Sequence, residues 1–339
     1  MDDPTHQSQT PGYDYVSPIN LASGLPPLLK ELISTAAFRR LTDVRFLGGI
    51  DYLLVPTPNG ARTNVRYTRY QHSLGVALLA LFYADLKGLS ERGRQLAYAA
   101  AILHDIGHAP LSHSLEPVFE EAFGFNHHQA TKDIVRGQTP LGKDVRKTLE
   151  NHHLDPDHVL AIIDGDDDQF DGFFAGPINF DTIEGVLRSR RYLKPNAICP
   201  QPTDVVRAAT LRQTSSDRQL VDAFWTYKNE IYRFVIRSRD GILTDHLCQR
   251  IARGSLNRLS KHDFLTTEKS LFKKLPELRV VLQISRSAPV EREAFSELVR
   301  YKERNFFIDA EADFFARDDK RRYRQSKQDR VLPASNSAD

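Results

Sequence analysis

Apolar positions near the start of the chain recur at helical spacing. Leu28, Leu29, Leu32, Ile33 and Ala36 fall near a 3.6-residue period and predict one buried stripe. That helix opens at Pro26 or Pro27, where a missing N–H costs little. Phe38, Leu41 and Val44 follow at intervals of three. Gly48-Gly49 breaks the pattern. Tyr52 to Val55, before Pro56, reads as a short extended segment, and 57–64 as a turn-rich loop. A long helix is predicted over about 68–86 and another over about 91–105, with further helices at 117–124, 127–135 and 142–152. Helical patterning dominates again from Val205 to Phe315, with Trp225, Tyr232 and Phe234 expected in the core. Strand signals are few and no repeat is evident, so the expected fold class is mainly α. Its parts are a helical core over 15–200 and an additional C-terminal helical region over 201–316.

The ends change this picture little. Residues 1–14 are polar and read as a disordered tail, and 317–339 as a basic, then polar tail. Between Arg317 and Arg330 seven Lys/Arg face three Asp, which favours disorder or an oligomer-contact arm over RNA binding.

The net charge of +2 gives no argument for a nucleic-acid or membrane partner. The two cysteines, Cys199 and Cys248, have no metal-like spacing and support no disulfide framework. The longest apolar run, Val76 to Ala84, has nine residues, against the roughly twenty that span a bilayer. The acidic, polar start does not resemble a secretory signal. Together these features lead us to expect a cytoplasmic protein.

Candidate chemistry lies where an apolar helix pattern ends in His104-Asp105, with His108 one turn later. His72 shares a helix face with Arg69 upstream, and Asp181 follows far downstream. Two imidazoles and two carboxylates suit a divalent cation: Mn, Fe, Co, Ni, Zn, or Mg with water in several positions. His104 and Asp105 are about 100° apart around a helix axis, so both reach one ion only at a helix flank or end. Gly107 and Pro110 supply such an ending. A lone His-Asp dipeptide is common by chance, and His108 and His113 could be satisfied polar residues beside a helix end. His127-His128 could be an exposed pair opening a helix. Asp164 to Asp168 reads as a solvated loop, because the glutamate that ends a calcium loop is missing.

The surrounding residues add a specific resemblance. His72, His104-Asp105 and Asp181 look like the four ligands of the HD-domain metal-dependent phosphohydrolases. Phe38-Arg39-Arg40-Leu41, Leu47-Gly48-Gly49, Arg69 to Val76 and His104 to His113 are similar to the deoxynucleoside triphosphate triphosphohydrolase branch, over roughly residues 17 to 190. The resemblance implies a helical HD domain, commonly a homo-oligomer. Its reaction would be attack at the α-phosphorus of a nucleotide substrate, releasing a nucleoside and triphosphate. It further implies one bound metal, or two when further histidines contribute. His127 would be a catalytic histidine that protonates the leaving oxygen, with His108 and His113 sharing or supporting that transfer. Arg69, Leu47 and Arg188 would meet substrate. Several positions depart from the branch. Phe46 replaces a glutamine that meets the sugar, Thr182 a phosphate-gripping lysine, and Gly185 an aromatic that packs on the sugar. Ser34 and Thr42 replace residues tied to an activator nucleotide. Two alternatives stay open: another phosphohydrolase or phosphodiesterase, and a nucleotide-sensing protein without turnover.

Overall fold

The computed structural model describes residues 24–53, 55–56, 62–63, 66–194, 199–287, 298–316 and 319–332. The expected tail at 1–14 and most of the loop at 57–64 lie outside the described residues. The chain is mainly α. Its helices run in order α1 (Pro27–Ser34), α2 (Ala36–Arg40), α3 (Arg69–Lys87), α4 (Glu91–Leu103), α5 (Glu116–Phe123), α6 (His127–Val135) and α7 (Lys143–Asn151). There follow α8 (Pro156–Asp164), α9 (Phe180–Leu193), α10 (Pro202–Leu211), α11 (Ser215–Ile231), α12 (Arg239–Gly254), α13 (Glu268–Lys274) and α14 (Pro276–Ser287). A four-residue helix, Asp319–Arg322, several 3-10 turns and two antiparallel pairs accompany them: β1 (Val55–Pro56) with β2 (Arg62–Thr63), and β3 (Val299–Ile308) with β4 (Tyr323–Leu332).

The helices α3 and α4 form the centre. Burial surrounds α3 on nearly every side, from Leu74 and Val76 to Tyr83 and Ala84. The small residues Ala97, Ala99, Ala100 and Ala101 let α4 lie close beside it. Helices α1, α8, α9, α10 and α11 pack around this pair and share its apolar cluster. A second cluster joins Leu111, Leu115 and Phe119 to Cys248, Phe264, Leu271 and Leu275, so the C-terminal helices cover the segment that follows α4.

Three expectations need correction. Tyr52, expected in a short extended segment, instead ends a 3-10 helix over Gly48–Tyr52, after which Leu53 is extended and Val55–Pro56 form a strand. Phe234, expected in the core, is 48% exposed, because the chain passes from α11 into a π turn at Tyr232–Ile236 that shifts the helical register. Tyr323–Leu332, within the stretch expected as a basic tail, pairs with Val299–Ile308, within the region expected to be helical, as the β3–β4 ribbon; residues 333–339 lie outside the described residues. The ribbon docks through one face of α11. Asp222 accepts from Arg322 and Tyr323, Trp225 Nε1 donates to the Phe307 carbonyl at 3.1 Å, and Asn229 Oδ1 accepts from the Phe306 amide at 3.0 Å.

Candidate metal and acid–base site

Local structure sets each candidate ligand. Thr68 caps α3 in a reciprocal box with Gln71, which fixes Arg69 and His72 in the first turn. Helix α4 ends at Leu103, and the chain turns tightly so that the His108 amide donates to the Asp105 carbonyl at 3.1 Å. His104 and Asp105 therefore leave the helix end side by side. Asn179 caps α9 by accepting from the Thr182 amide at 2.7 Å, which places Asp181 at the positive end of the helix dipole.

The four groups converge. His72 Nε2 lies 3.0 Å from Asp181 Oδ1 and 3.5 Å from Asp105 Oδ2, and His104 Nε2 lies 3.4 Å from Asp105 Oδ2 and 3.8 Å from Asp181 Oδ1. Donors each ~2.1 Å from one ion stand about 3.0 Å apart at a right angle and about 3.5 Å apart at the tetrahedral angle. Both Nε2 atoms are buried and make no hydrogen bond. Their other ring nitrogens are committed: His72 Nδ1 to Glu184 Oε2 at 2.5 Å and His104 Nδ1 to the Ala101 carbonyl at 2.8 Å. That leaves the two Nε2 atoms facing two carboxylates, where a cation would take the place of any proton held between them. Burial alone would lower the His104 pKa, but Asp105 and Asp181 outweigh it and raise it to about 10. Asp181 keeps 56% of its side chain exposed.

Glu184 was not foreseen from sequence. It is fully buried and bridges His72 to Arg188, whose Nε donates to it at 2.8 Å. Gly75 on α3 makes room, since a Cβ there would fall 2.4 Å from Glu184 Oε1. This arrangement corrects the reading of Arg188 as a phosphate ligand. Its guanidinium is buried, clamps Glu184, donates to the Gln71 carbonyl at 3.0 Å and lies over the Tyr67 ring, because a buried carboxylate needs a cation beside it. The signal was available: Asp181, Glu184 and Arg188 share one face of a helix.

Arg69 is also largely committed. Nη1 donates to Asp105 Oδ2 at 2.5 Å and Nε to Ser112 Oγ at 3.0 Å. Phe46 tilts against the His72 ring at 4.5 Å and would lie 3.3 Å from a Cβ on Gly185. The aromatic side chain at 46 thus fills the space that glycine leaves at 185. Leu47 is half-buried beside it and donates its amide to Asp51 Oδ2 at 2.7 Å.

A second cluster adjoins the first. His108 Nε2 lies 3.2 Å from Asp105 Oδ1, while its buried Nδ1 has no hydrogen-bond partner. Its ring stacks on His127 at 4.3 Å, and His113 meets both rings edge-on. Glu116, also unforeseen, joins them: it accepts from His113 Nδ1 at 2.9 Å and from both the amide and Nδ1 of His127. Burial would raise its pKa, but these two histidines outweigh that and hold its carboxyl below the usual range. Gly107 permits the approach, since a Cβ there would meet the His127 carbonyl at 2.4 Å. Burial and the Arg69 charge hold His108 neutral. Ring nitrogens of His108, His113 and His127 lie within 4.8 Å of one another, but the Glu116 hydrogen bonds suit proton transfer better than a further ion.

In a comparison with known proteins, the HD domain description matches residues 69–208. Residues 69–208 are an HD domain. The chain is similar to the uncharacterized protein YwfO of Bacillus subtilis, 37% identical over 139 residues, which is 40% of this chain and 29% of that protein. The human deoxynucleoside triphosphate triphosphohydrolase SAMHD1 is 37% identical over 158 residues, 43% of this chain and 24% of that enzyme. The uncharacterized protein MJ1154 of Methanocaldococcus jannaschii is 27% identical over 167 residues, 48% of this chain and 33% of that protein. The chain thus spans between about a quarter and a third of these relatives. Among the described residues, no helix is long and apolar enough to cross a membrane.

Proposed function

We propose that the HD domain is a metal-dependent hydrolase of nucleoside triphosphates, deoxynucleotides among them, releasing a nucleoside and inorganic triphosphate. The observation that carries this reading is the pair of orphaned imidazole nitrogens, His72 Nε2 and His104 Nε2, facing Asp105 and Asp181. A divalent cation held by these four residues would neutralise phosphate oxygens and activate water for attack.

The chain's own groups supply the rest. Arg69, fixed by Asp105 and Ser112, has Nη2 left to meet a phosphate oxygen. His127 protonates the departing nucleoside oxygen, and Glu116, hydrogen-bonded to its Nδ1, orients the ring for that role. His108 stacks on His127 and stays neutral, so it does not compete for that proton. His113 shares Glu116 from the exposed side. The printed activity of the human triphosphohydrolase supports the substrate class, and assembly as a homo-oligomer in the cytoplasm is part of the same proposal.

The test is to load the protein with each candidate metal in turn, incubate it with every dNTP and NTP, and separate the products. Free triphosphate is expected. Orthophosphate or a nucleoside monophosphate as the only product would move the protein to another phosphohydrolase activity.

A further inference from the structure

Beyond Asp181 the wall of the site is built by C-terminal residues that the metal reading leaves unused. At the end of α11 comes the π turn at Tyr232–Ile236, a widened turn often found where side chains must be re-aimed. One turn earlier Lys228 lies against two aromatic rings, its Nζ 4.4 Å from the centre of Trp225 and 4.7 Å from that of Phe306. Burial lowers its pKa to about 8, and Asp181 is the acid whose charge reaches it.

The ribbon adds a second cation. Val299 and Tyr301 pack toward α12, whereas Phe306 and Ile308 pack on the core at α11, with Phe306 4.6 Å from the Tyr232 ring. Arg304 shares the Phe306 face of the strand. Its Nε is buried without a hydrogen-bond partner, and so is Nη1 of Arg237, the residue that ends the π turn. The Arg304 charge acts on both Lys228 and Arg237, with Asp181, Glu303 and Asp245 the acids nearby. Three cations held together at a site edge repel each other. A polyanion would relieve that repulsion and satisfy the two orphaned guanidinium nitrogens. The first turn of α9 supplies no cation of its own, since Thr182 follows Asp181.

We propose that Lys228, Arg237 and Arg304 form an anion subsite that holds the distal phosphates of a substrate whose reacting phosphate sits at Asp181. This deepens, and rests on, the phosphohydrolase reading. It narrows the substrate class to polyphosphates, because a monophosphate at the cation would leave the subsite unfilled.

Calorimetry on the full, metal-loaded chain tests it with inorganic triphosphate and orthophosphate as probes. Arg304→Gln should weaken triphosphate binding about tenfold or more while changing orthophosphate binding less than about twofold, and Arg304→Lys should recover part of the loss. Lys302→Gln, an exposed change on the same strand, controls for net charge. Should Arg304→Gln fail to fold, Arg237→Gln carries the same expectation. Triphosphate binding that is unchanged in both variants, or that falls no further than in Lys302→Gln, would overturn the subsite. A wild-type chain that binds triphosphate through these residues but hydrolyses no nucleotide would sink the hydrolase reading and leave the subsite standing. Normal hydrolysis with unaltered variants would do the reverse.

Discussion

At the scale of single residues, the two histidine clusters divide the work. Asp105 lies near both orphaned Nε2 atoms and also receives Arg69. Asp105→Ala should therefore abolish metal binding and turnover together, read by metal analysis of the purified protein beside a product assay. His127 touches none of the four candidate ligands in any hydrogen bond and is held by Glu116. His127→Ala should keep the metal and lose rate by about 10²–10⁴-fold, the usual worth of a positioned acid. Turnover at the wild-type rate in either variant contradicts the assigned role. Glu184 acts through His72, so Glu184→Gln should weaken metal affinity by about 10–100-fold, measurable by competition with a chelator. A loss of fold without any change in metal affinity would reduce Glu184 to a structural partner of Arg188. The candidate ligands were legible as a cluster because they occur as motifs with a helix ending beside them. Glu184 and Glu116 were not, since a partner that orients a histidine is defined by contact across the fold.

Elements were legible where one side of a helix is apolar and the other polar. The long helices lie close to their expected bounds, α3 at Arg69–Lys87 and α6 at His127–Val135. The ribbon was not legible because β4, Tyr323–Leu332, carries almost no apolar alternation and is held by the ladder and by α11. The cover formed by the C-terminal helices depends on one buried acid. Glu268, the first residue of α13, accepts from the Arg45 amide at 2.6 Å, the Leu111 amide at 3.2 Å and the Tyr52 hydroxyl. Those bonds secure Leu111 and Ser112, which adopt left-handed conformations with φ of 59° and 45°, and Ser112 in turn holds Arg69. Burial raises the Glu268 carboxyl to about 7, against the pull of Tyr52 and the two amides. A folded-state value above the unfolded one means that the folded chain binds the extra proton. The contribution is complete below the unfolded value of 4.5 and is lost as pH rises through about 7, on the order of 3 kcal/mol across that window. Glu268→Gln cannot ionise, so its thermal midpoint relative to wild type should rise between pH 5 and pH 8. A constant difference over that range would mean that Glu268 does not titrate there.

For the whole molecule, the HD domain and the C-terminal half make one site between them. The HD domain carries the candidate ligands and the proposed acid–base pair, while α11, its π turn and the ribbon carry Lys228, Arg237 and Arg304. Phe306 is the joint. It is buried, meets Trp225 at 5.5 Å and Tyr232 at 4.6 Å, and lies two residues along the strand from Arg304. Truncating such a side chain costs about 3–5 kcal/mol, which for a chain of this size corresponds to a drop of roughly 10 °C in thermal midpoint. If the ribbon only braced the fold, the surviving folded Phe306→Ala at low temperature would hydrolyse triphosphates with an unchanged KM. Because the ribbon also carries Arg304 to the site edge, KM should rise in the folded variant while metal content stays at the wild-type level. Calorimetric melting beside steady-state kinetics well below the midpoint separates the two cases. An unaltered KM in a demonstrably destabilised Phe306→Ala would confine the C-terminal half to bracing the HD domain.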